Sequence, residues 1–342
     1  MICWVITSKD PRSTIGGAEV FWLELSRNLP FNFDFITGNS GPEVIRILQC
    51  YTKLFIRLAN KHPEVVFSSG AYGGLWPTTN IPRINVYHGT YEGYRRSFSN
   101  PLKTNLHINI LKELEKRSGR NCIKVAVSNQ TAYELNKYYG FSLNEICVIE
   151  NGVDTSRFRP PSPLEKIELR QKYGLPLNKR ILLFVGPLTY SKGLDVLKVI
   201  SKSLENVLII ALTPIKGQLV NCFKNSVIFN VSYCRIHEFY MLSDLFISPS
   251  RYEAFSLSLL EAMACSLPFV SFRTGWLHDF GEEFSMTIAH DAKDFVNKTS
   301  TLLEDISLQN SLRKKIRYLA ELHDWSIISK KYDMLIKKVL AG

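Results

Sequence analysis

The chain has 342 residues, which is enough for about two domains of ~150 residues each. Hydrophobic residues make up 45% of the sequence and charged residues 21%, a balance that indicates a globular protein with a large buried core. No apolar run reaches the ~20 residues that a membrane-spanning helix requires, and the first ten residues lack the basic region of a signal peptide.

Charge and cysteine content limit the partners and the compartment. A net charge of +11 suits nucleic acid, an anionic membrane or an acidic substrate, although a basic surface without any partner has the same charge. No element combines a basic patch with interleaved aromatic residues, so we expect no nucleic-acid partner. The seven cysteines form no C-x-x-C pair and mostly lie in apolar surroundings, which indicates buried thiols and a cytoplasmic location rather than a metal or disulfide site.

The first half of the chain alternates between short apolar strands and amphipathic helices. Strands are predicted at 2–7, 33–37, 65–69, 84–87, 125–128 and 146–149, and helices after Gly17, at 43–59, at 101–117 and after Ser128 or Asn129. Gly16 and Gly17 stand between the first strand and the first helix, where they allow close backbone approach to a ligand. They do not form a G-x-G-x-x-G fingerprint, which disfavours a nicotinamide enzyme. His88 directly follows the fourth strand.

The strand and helix pattern restarts after a proline-rich segment, Arg159–Pro163, which is predicted to be a linker. Strands are predicted at 180–185, 207–212, 226–230, 245–248 and 269–272, and helices at 194–201, 236–242, 256–264 and over most of the chain from residue 292. The fold class is therefore α/β, with two doubly wound domains facing across a cleft. We predict domains at 1–158 and 159–325, and a C-terminal helix at 326–342 that packs back toward the first domain.

The segment Leu245–Pro268 holds the densest set of candidate residues. It is a strand, a tight turn and a helix, so the backbone N–H groups of about Phe255–Leu257 and the helix dipole favour an anion there. Glu253 in the turn and Glu261 in the helix suggest a phosphate joined to a hydroxyl-rich group, because carboxylates accept hydrogen bonds from sugar hydroxyls.

Each of these candidates also has an interpretation without a ligand. The glycine pair fits a tight turn, and a lone histidine such as His88 is more often structural than catalytic. Glu261 fits a solvated helix glutamate, and Glu253 fits a turn or capping carboxylate. Lys192 is a further candidate, in the loop before the helix predicted at 194–201, and it fits a surface lysine at the start of that helix.

Taken together and in order, the motifs resemble those of the GT-B retaining glycosyltransferases of family 4, also called glycosyl transferases group 1. The resemblance covers nearly the whole chain and is carried by Gly16-Gly17, His88, Asn151-Gly-Val-Asp154, Lys192-Gly193, Pro249-Ser250, Glu253-Ala-Phe-Ser-Leu257 and Glu261-Ala-Met-Ala264. The chain departs from the family pattern at Pro187, where an arginine of the donor-phosphate site is usual, and at Ser256 and Ser266, where glycines are usual. Arg251 and Arg273 are candidates for the missing charge.

The resemblance implies a hexosyltransferase that moves a hexose-type sugar, with retention, from a UDP- or GDP-linked donor to a glycan, lipid-linked or other hydroxyl acceptor. It implies two catalytic residues, His88 and Glu253, which contact the transferred sugar. The donor-binding residues that it implies are Gly16, Gly17, Lys192, Phe255, Ser256, Leu257 and Glu261. No Asp-x-Asp motif stands where a divalent metal is held, so we expect no metal and no other cofactor.

Two alternatives remain open from the sequence. Pro187 favours a non-catalytic nucleotide-sugar or glycan-binding protein on the same fold. The basic helix at 102–120 and the cationic tail suit peripheral contact with an anionic membrane at its inner face, where a lipid-linked acceptor would lie, but they also suit a solvated surface.

Overall fold

The structure is a computed structural model that describes residues 1–13, 16–77, 79–98, 106–213 and 223–341. Within those ranges it contains two six-stranded sheets, and the paired strands of both sheets run parallel. Helices connect the strands and flank each sheet, so the predicted α/β class with two Rossmann-like halves is confirmed. Among the described helices, none combines the length and the hydrophobicity that a membrane-spanning segment requires.

The elements follow one another in the alternating order that the sequence predicts. The strands are β1 (Ile2–Thr7), β2 (Asn32–Thr37), β3 (Val65–Ser69), β4 (Arg83–Tyr87), β5 (Ile123–Ala126), β6 (Ile146–Val148), β7 (Arg180–Val185), β8 (Val207–Leu212), β9 (Ser226–Phe229), β10 (Leu245–Ser248), β11 (Phe269–Phe272) and β12 (Ile288–Ala289). The helices are α1 (Gly17–Asn28), α2 (Glu43–Leu58), α3 (Tyr91–Arg96), α4 (Leu106–Ser118), α5 (Asn129–Tyr139), α6 (Pro163–Lys172), α7 (Leu194–Ser203), α8 (Ile236–Leu242), α9 (Leu257–Ala264), α10 (Ala292–Glu304), α11 (Ile306–Glu321) and α12 (Trp325–Ala341).

The chain divides into two compact units. The first holds Met1–Asn151, Glu253–Phe255 and the segment from Trp325 onward, and its sheet has the order β2-β1-β3-β4-β5-β6. The second holds Gly152–Tyr252 and Ser256–Asp324, with the order β12-β11-β10-β7-β8-β9. The predicted domain boundaries after residues 158 and 325 stay predictions.

Helix α12 completes the core of the first unit. The rings of Trp325 and Tyr332 lie 5.8 and 5.7 Å from the ring of Phe21 on α1, and all three side chains are buried. The last helix of the chain therefore covers an apolar face of the first helix.

Several elements differ from the prediction for identifiable reasons. The segment predicted as a proline-rich linker ends in α6, because Pro163 takes the first helical position and Ser162 forms a capping box with Glu165. The strand predicted at 125–128 ends at Ala126, because Ser128 caps α5 by accepting from the N–H of Thr131.

Three further differences are local. A 3-10 turn, Gly70–Gly73, follows β3 where no helix or strand was predicted, and the two-residue strand β12 was not predicted either. For the helix predicted at 101–117, residues 101–105 lie outside the described residues, and α4 is described from Leu106 to Ser118.

In the second unit, a largely buried ionic group fixes α6 to the sheet. The Asp244 carboxylate accepts hydrogen bonds of 2.7 Å from Lys166, from Arg170 and from the backbone N–H of Ile181. Burial raises the pKa of Asp244, but the charges of Lys166 and Arg170 lower it by more, so the net shift is downward. Because Ile181 and Asp244 stand at the amino ends of β7 and β10, this group secures the edge of the sheet opposite to the carboxyl ends of the strands.

Helix α9 ends in a Schellman motif that requires a left-handed residue. The N–H of Leu267 donates to the carbonyl of Ala262, and that of Ser266 donates to Met263. Ser266 has a φ of +51°, in the region that favours glycine. The serine therefore stands, under strain, at a position where family 4 chains usually have glycine.

We expect Ser266→Gly to raise the free energy of unfolding by about 0.5–1 kcal/mol, because relief of the left-handed strain exceeds the extra entropy of an unfolded glycine. Urea unfolding of the variant and of the wild type measures the difference. Ser266→Ala is the control, since alanine keeps the strain. A glycine variant no more stable than the alanine variant would contradict this account.

A buried carboxyl, Glu115, lies on α4 in the first unit. Its Oε2 accepts from the N–H of Tyr91 at 2.9 Å and from the hydroxyl of Tyr139. Burial raises the pKa of Glu115 to about 8, and the two donors only partly offset that effect. The side chain is therefore mostly protonated at pH 7 in the folded protein.

A raised carboxyl pKa makes stability depend on pH in a defined direction. The folded state keeps the Glu115 proton between the ordinary pKa of 4.5 and about 8, so its contribution to stability is complete below 4.5 and is lost as the pH rises through 8. We expect Glu115→Gln to flatten the fall in unfolding free energy between those values, measured by urea unfolding. Glu145→Gln, at an exposed carboxylate, is the control. Parallel curves for wild type and Glu115→Gln would refute the assignment.

Candidate active site

In the second unit, the turn that carries Lys192 lies against the residues that follow β10. The N–H of Arg251 donates to the carbonyl of Ser191 at 2.9 Å. Gly193 has a φ of +79°, and a Cβ there would lie 2.3 Å from the carbonyl oxygen of Pro249. Only glycine allows this approach. Because β7 and β10 are neighbours in the sheet, Lys192 lies where their carboxyl ends meet.

Helix α9 begins at Leu257, directly after the residues that follow β10. Ser256 caps the helix, because its Oγ accepts from the N–H of Leu259 at 3.3 Å, and Leu257 is the first helical residue. The φ of Ser256 is −83°, which any residue adopts, so the serine fits where glycine was expected. The first-turn N–H groups of a helix lack intrahelical acceptors, and they favour an anion.

Glu261 is buried, with 6% of its surface exposed, so the interpretation as a solvated helix glutamate is wrong. The hydroxyl of Tyr240 donates to Oε2 at 2.6 Å, and that of Tyr233 donates to Oε1 at 3.2 Å. Burial and the Glu261 carboxylate both raise the pKa of Tyr240, so this phenol stays protonated and keeps donating. The carboxylate therefore has a fixed orientation one turn inside α9.

The two arginines considered as replacements for the missing charge have partners of their own. The Arg251 guanidinium pairs with Asp195 through two hydrogen bonds of 2.9 and 2.7 Å. Arg273 donates to the carbonyl of Gly281 at 2.6 Å. Arg251 lies at the Lys192 turn, but its charge is balanced there.

In the first unit, His88 follows β4 and packs against two aromatic rings. Its ring lies 4.8 Å from Phe21 and 5.9 Å from Trp22. Burial lowers the pKa of His88 to about 4, so the imidazole is neutral at physiological pH and is a weak base. Its buried Nε2 has no hydrogen-bond partner among the described residues, which marks an atom that a ligand would satisfy.

The glycine pair stands at the start of α1 in the same unit. A Cβ on Gly16 would lie 2.3 Å from the Glu19 carboxylate, and Gly17 is the exposed first residue of the helix. Glu19 is mostly buried, and burial raises its pKa. No sequence motif marks this carboxylate, so it was not predicted. Residues 14 and 15 of the preceding loop lie outside the described residues.

The tripeptide Glu253–Phe255 is grouped with the first unit. The hydroxyl of Ser128, at the start of α5, donates to the carbonyl of Ala254 at 2.8 Å. Phe255 is buried and Glu253 is half-buried.

The predicted site residues thus fall into two sets. The first unit holds Gly16, Gly17, His88, Glu253 and Phe255, and the second holds Lys192, Ser256, Leu257 and Glu261. Tyr240 lies on α8 among core residues, and it was not predicted because no sequence spacing links it to Glu261. Tyr233 lies in a short segment after β9. In the described ranges, no group of three or more His, Cys, Asp and Glu side chains is placed to hold a metal ion.

Two family models together match most of the chain. Residues 31–157 match the model of Glycosyltransferase Family 4, and residues 165–318 match that of Glycosyl transferases group 1. A D-inositol 3-phosphate glycosyltransferase of Xylanimonas cellulosilytica is 31% identical over 170 residues, which are 45% of this chain and 41% of that protein. The match spans about half of the length of the first curated relatives, or less.

Solved structures resemble the chain over its whole length. Sucrose-phosphate synthase from Thermosynechococcus elongatus has a TM-score of 0.83 at 16% identity and covers 99% of both chains. Anabaena HepE in complex with UDP-glucose has a TM-score of 0.75 at 17% identity and covers 100% of this chain and 99% of its own. At these identities the likeness shows the fold alone. Together with the two family models, it shows that the chain belongs to the group 1 and family 4 glycosyltransferases, which have the GT-B fold.

Proposed function

We propose that the protein transfers a hexose-type sugar, with retention, from a nucleoside diphosphate sugar to a hydroxyl acceptor. The observation that carries this proposal is the buried Glu261 carboxylate, which Tyr240 and Tyr233 hold one turn inside a helix whose capped amino end favours a phosphate. A fixed carboxylate beside an anion site matches a ligand with ribose hydroxyls next to a diphosphate. The UDP-glucose bound in HepE supports a UDP-linked donor, with GDP as the alternative.

In the proposed reaction, the bond between the anomeric carbon and the diphosphate oxygen breaks, and the acceptor oxygen bonds to that carbon on the same face. The acceptor proton passes to the departing phosphate. Lys192 and the first amides of α9 neutralise the charge on that phosphate, and one such donor is worth about 3–4 kcal/mol in the transition state. This scheme needs neither a metal nor another cofactor.

His88 and Glu253 contact the sugar in this proposal. The low pKa of His88, about 4, disfavours it as the general base, which supports transfer of the acceptor proton to the phosphate. Its buried Nε2 would instead bond a sugar hydroxyl.

The alternative is a binding protein on the same fold without turnover. Pro187 favours it, because the chain lacks the arginine that family 4 members usually place at the donor phosphates. This alternative predicts that a nucleoside diphosphate binds and that no donor is consumed.

Thermal-shift titration with UDP, GDP, ADP and their sugars identifies the donor, and hydrolysis or transfer of that donor measures activity. We expect Glu261→Gln to weaken nucleotide binding by about 1.5–3 kcal/mol, because a charge-assisted hydrogen bond to ribose is lost.

We expect Glu253→Ala to bind the nucleotide normally but to turn over about 100-fold more slowly.

The matched control is Glu238→Gln on α8, whose carboxylate pairs with Lys172. Equal, robust turnover by wild type and Glu253→Ala would refute the assignment of Glu253. Nucleotide binding without turnover of any donor, with cell-derived acceptors present, would favour the binding protein.

We further propose that the protein acts in the cytoplasm, at the inner face of an anionic membrane, on a lipid-linked or glycan acceptor, and that it binds no nucleic acid. The support is the outer face of α12, where Ile327 and Met334 are 40% and 64% exposed. Lys330 and Lys338 are exposed on the same face of the helix. Apolar and cationic side chains on one helix face suit an anionic lipid surface.

We expect the protein to co-sediment with phosphatidylglycerol-containing vesicles and not with pure phosphatidylcholine vesicles. The double variant Lys330→Gln/Lys338→Gln should lose about 1 kcal/mol per lysine, or roughly 30-fold in partitioning. The exposed pair Lys198 and Lys202 on α7, changed in the same way, is the control. An equal loss of vesicle binding for both lysine pairs would indicate nonspecific charge attraction. If the wild type does not sediment with the vesicles, the proposed membrane contact is wrong.

A further inference from the structure

Arg251 contacts the Lys192 turn through both its backbone and its side chain. Its N–H donates to the carbonyl of Ser191 at 2.9 Å. Its guanidinium donates to the carbonyl of Tyr190 at 2.6 Å and lies over the Tyr190 ring, 3.8 Å from the ring centre. Arg251 therefore covers the two residues that precede Lys192.

The same guanidinium also contacts the residues beyond the turn. It forms hydrogen bonds of 2.9 and 2.7 Å with the two carboxylate oxygens of Asp195, in the first turn of α7. The hydrogen bond from Arg251 lowers the pKa of Asp195, so this carboxyl stays ionised at neutral pH. Because a bidentate pair of this kind fixes the relative orientation of both groups, Arg251 joins the two sides of Lys192.

A third contact, between Gly193 and Pro249, restrains the turn. Gly193 packs so closely on Pro249 that even a Cβ would not fit. Pro249 therefore packs against the backbone directly after Lys192. Arg251 hydrogen-bonds to Tyr190 before Lys192 and to Asp195 after it. The same loop contains Pro187, at the position where the resemblance predicts an arginine.

We propose that Arg251 is a positioning residue that fixes Lys192 for the departing diphosphate. This inference rests on the function proposed above. Arg251 does not itself supply the phosphate charge, because its guanidinium is balanced by Asp195. Its effect passes through the orientation of Lys192, since a small displacement of a charged group from the reacting centre costs a large part of its effect on rate.

Arg251→Ala should lower kcat about 10- to 100-fold and change the KM for the donor much less. Arg251→Lys should not restore kcat, because an ammonium cannot form the bidentate pair. Asp195→Asn should also lower kcat. If Arg251 were instead the phosphate cation, Asp195→Asn would free its charge for the diphosphate and would keep or raise kcat, which would overturn the proposal.

A double-mutant cycle tests whether Arg251 acts through Lys192. In a Lys192→Ala background, adding Arg251→Ala should change kcat by less than about twofold. If the losses in kcat of the two single variants multiply in the double variant, the proposal is overturned. Arg159→Ala is the matched control, because Arg159 forms a similar bidentate pair with Glu165, at 3.0 and 2.7 Å, away from the turn. Its activity should stay within about twofold of wild type.

Amide hydrogen exchange tests the positioning role without turnover. Arg251→Ala should speed exchange about tenfold or more at Lys192, Gly193 and Leu194, whose N–H groups donate within the turn, and should leave β7 and β10 protected. Unchanged exchange in the turn would overturn the inference even if the wild type proves inactive. A wild type that consumes no donor, with faster exchange in the variant, would instead refute the proposed function and keep the structural role of Arg251.

Discussion

Parallel strand pairing is the constraint on which the placement of the candidate residues depends. Because all strands of a parallel sheet point the same way, the segments that follow them emerge at one edge. In the second unit this brings the turn after β7 against the residues after β10. In the first unit it places His88 at the end of β4, beside the aromatic residues of α1. The largely buried Asp244 group secures the opposite edge of the second sheet, where the connections carry none of the candidate residues.

Each unit also buries a glutamate against a tyrosine hydroxyl. A carboxyl removed from water is costly unless donors surround it, and in both places the donors include a buried phenol. Glu115 takes its hydrogen bonds from Tyr139 and the Tyr91 backbone and remains mostly protonated. Glu261 takes its hydrogen bonds from Tyr240 and Tyr233, in a helix whose amino end favours negative charge. Similar local chemistry thus serves packing in one unit and, in the function that we propose, ligand binding in the other.

The sequence predicted those features that depend on local patterns. Apolar runs bounded by glycine and proline predicted most strands, and the cap at Ser128 was visible from its position before a helix. The order of motifs predicted that Lys192 and Glu261 follow or adjoin strand ends. The proline-rich segment Arg159–Pro163, by contrast, was predicted to be a linker, whereas Pro163 begins α6. Proline is common both in linkers and at the first position of a helix, so the pattern does not distinguish them.

Features that depend on side chains meeting across the fold could not be predicted. Tyr240 and Glu261 lie on separate helices, and Arg251 and Asp195 follow different strands, so no spacing relates them. The strain at Ser266 depends on the exact end of α9, which sequence patterns locate poorly. The pKa values of His88 and Glu115 follow from how deeply each side chain is buried, which a helical or strand pattern does not fix.

The packing of α12 on Phe21 has a consequence for how the protein is made. The first unit is discontinuous in the chain, because its core includes Trp325 and Tyr332. A ribosome synthesises residues 1–151 before α12, so the apolar face of α1 that α12 covers stays exposed until α12 has emerged from the exit tunnel. The second unit, although it begins later, has all its strands and helices before that point. The domain that starts first is therefore the last to complete its core, because the Phe21 face that Trp325 and Tyr332 cover stays exposed until α12 has been made.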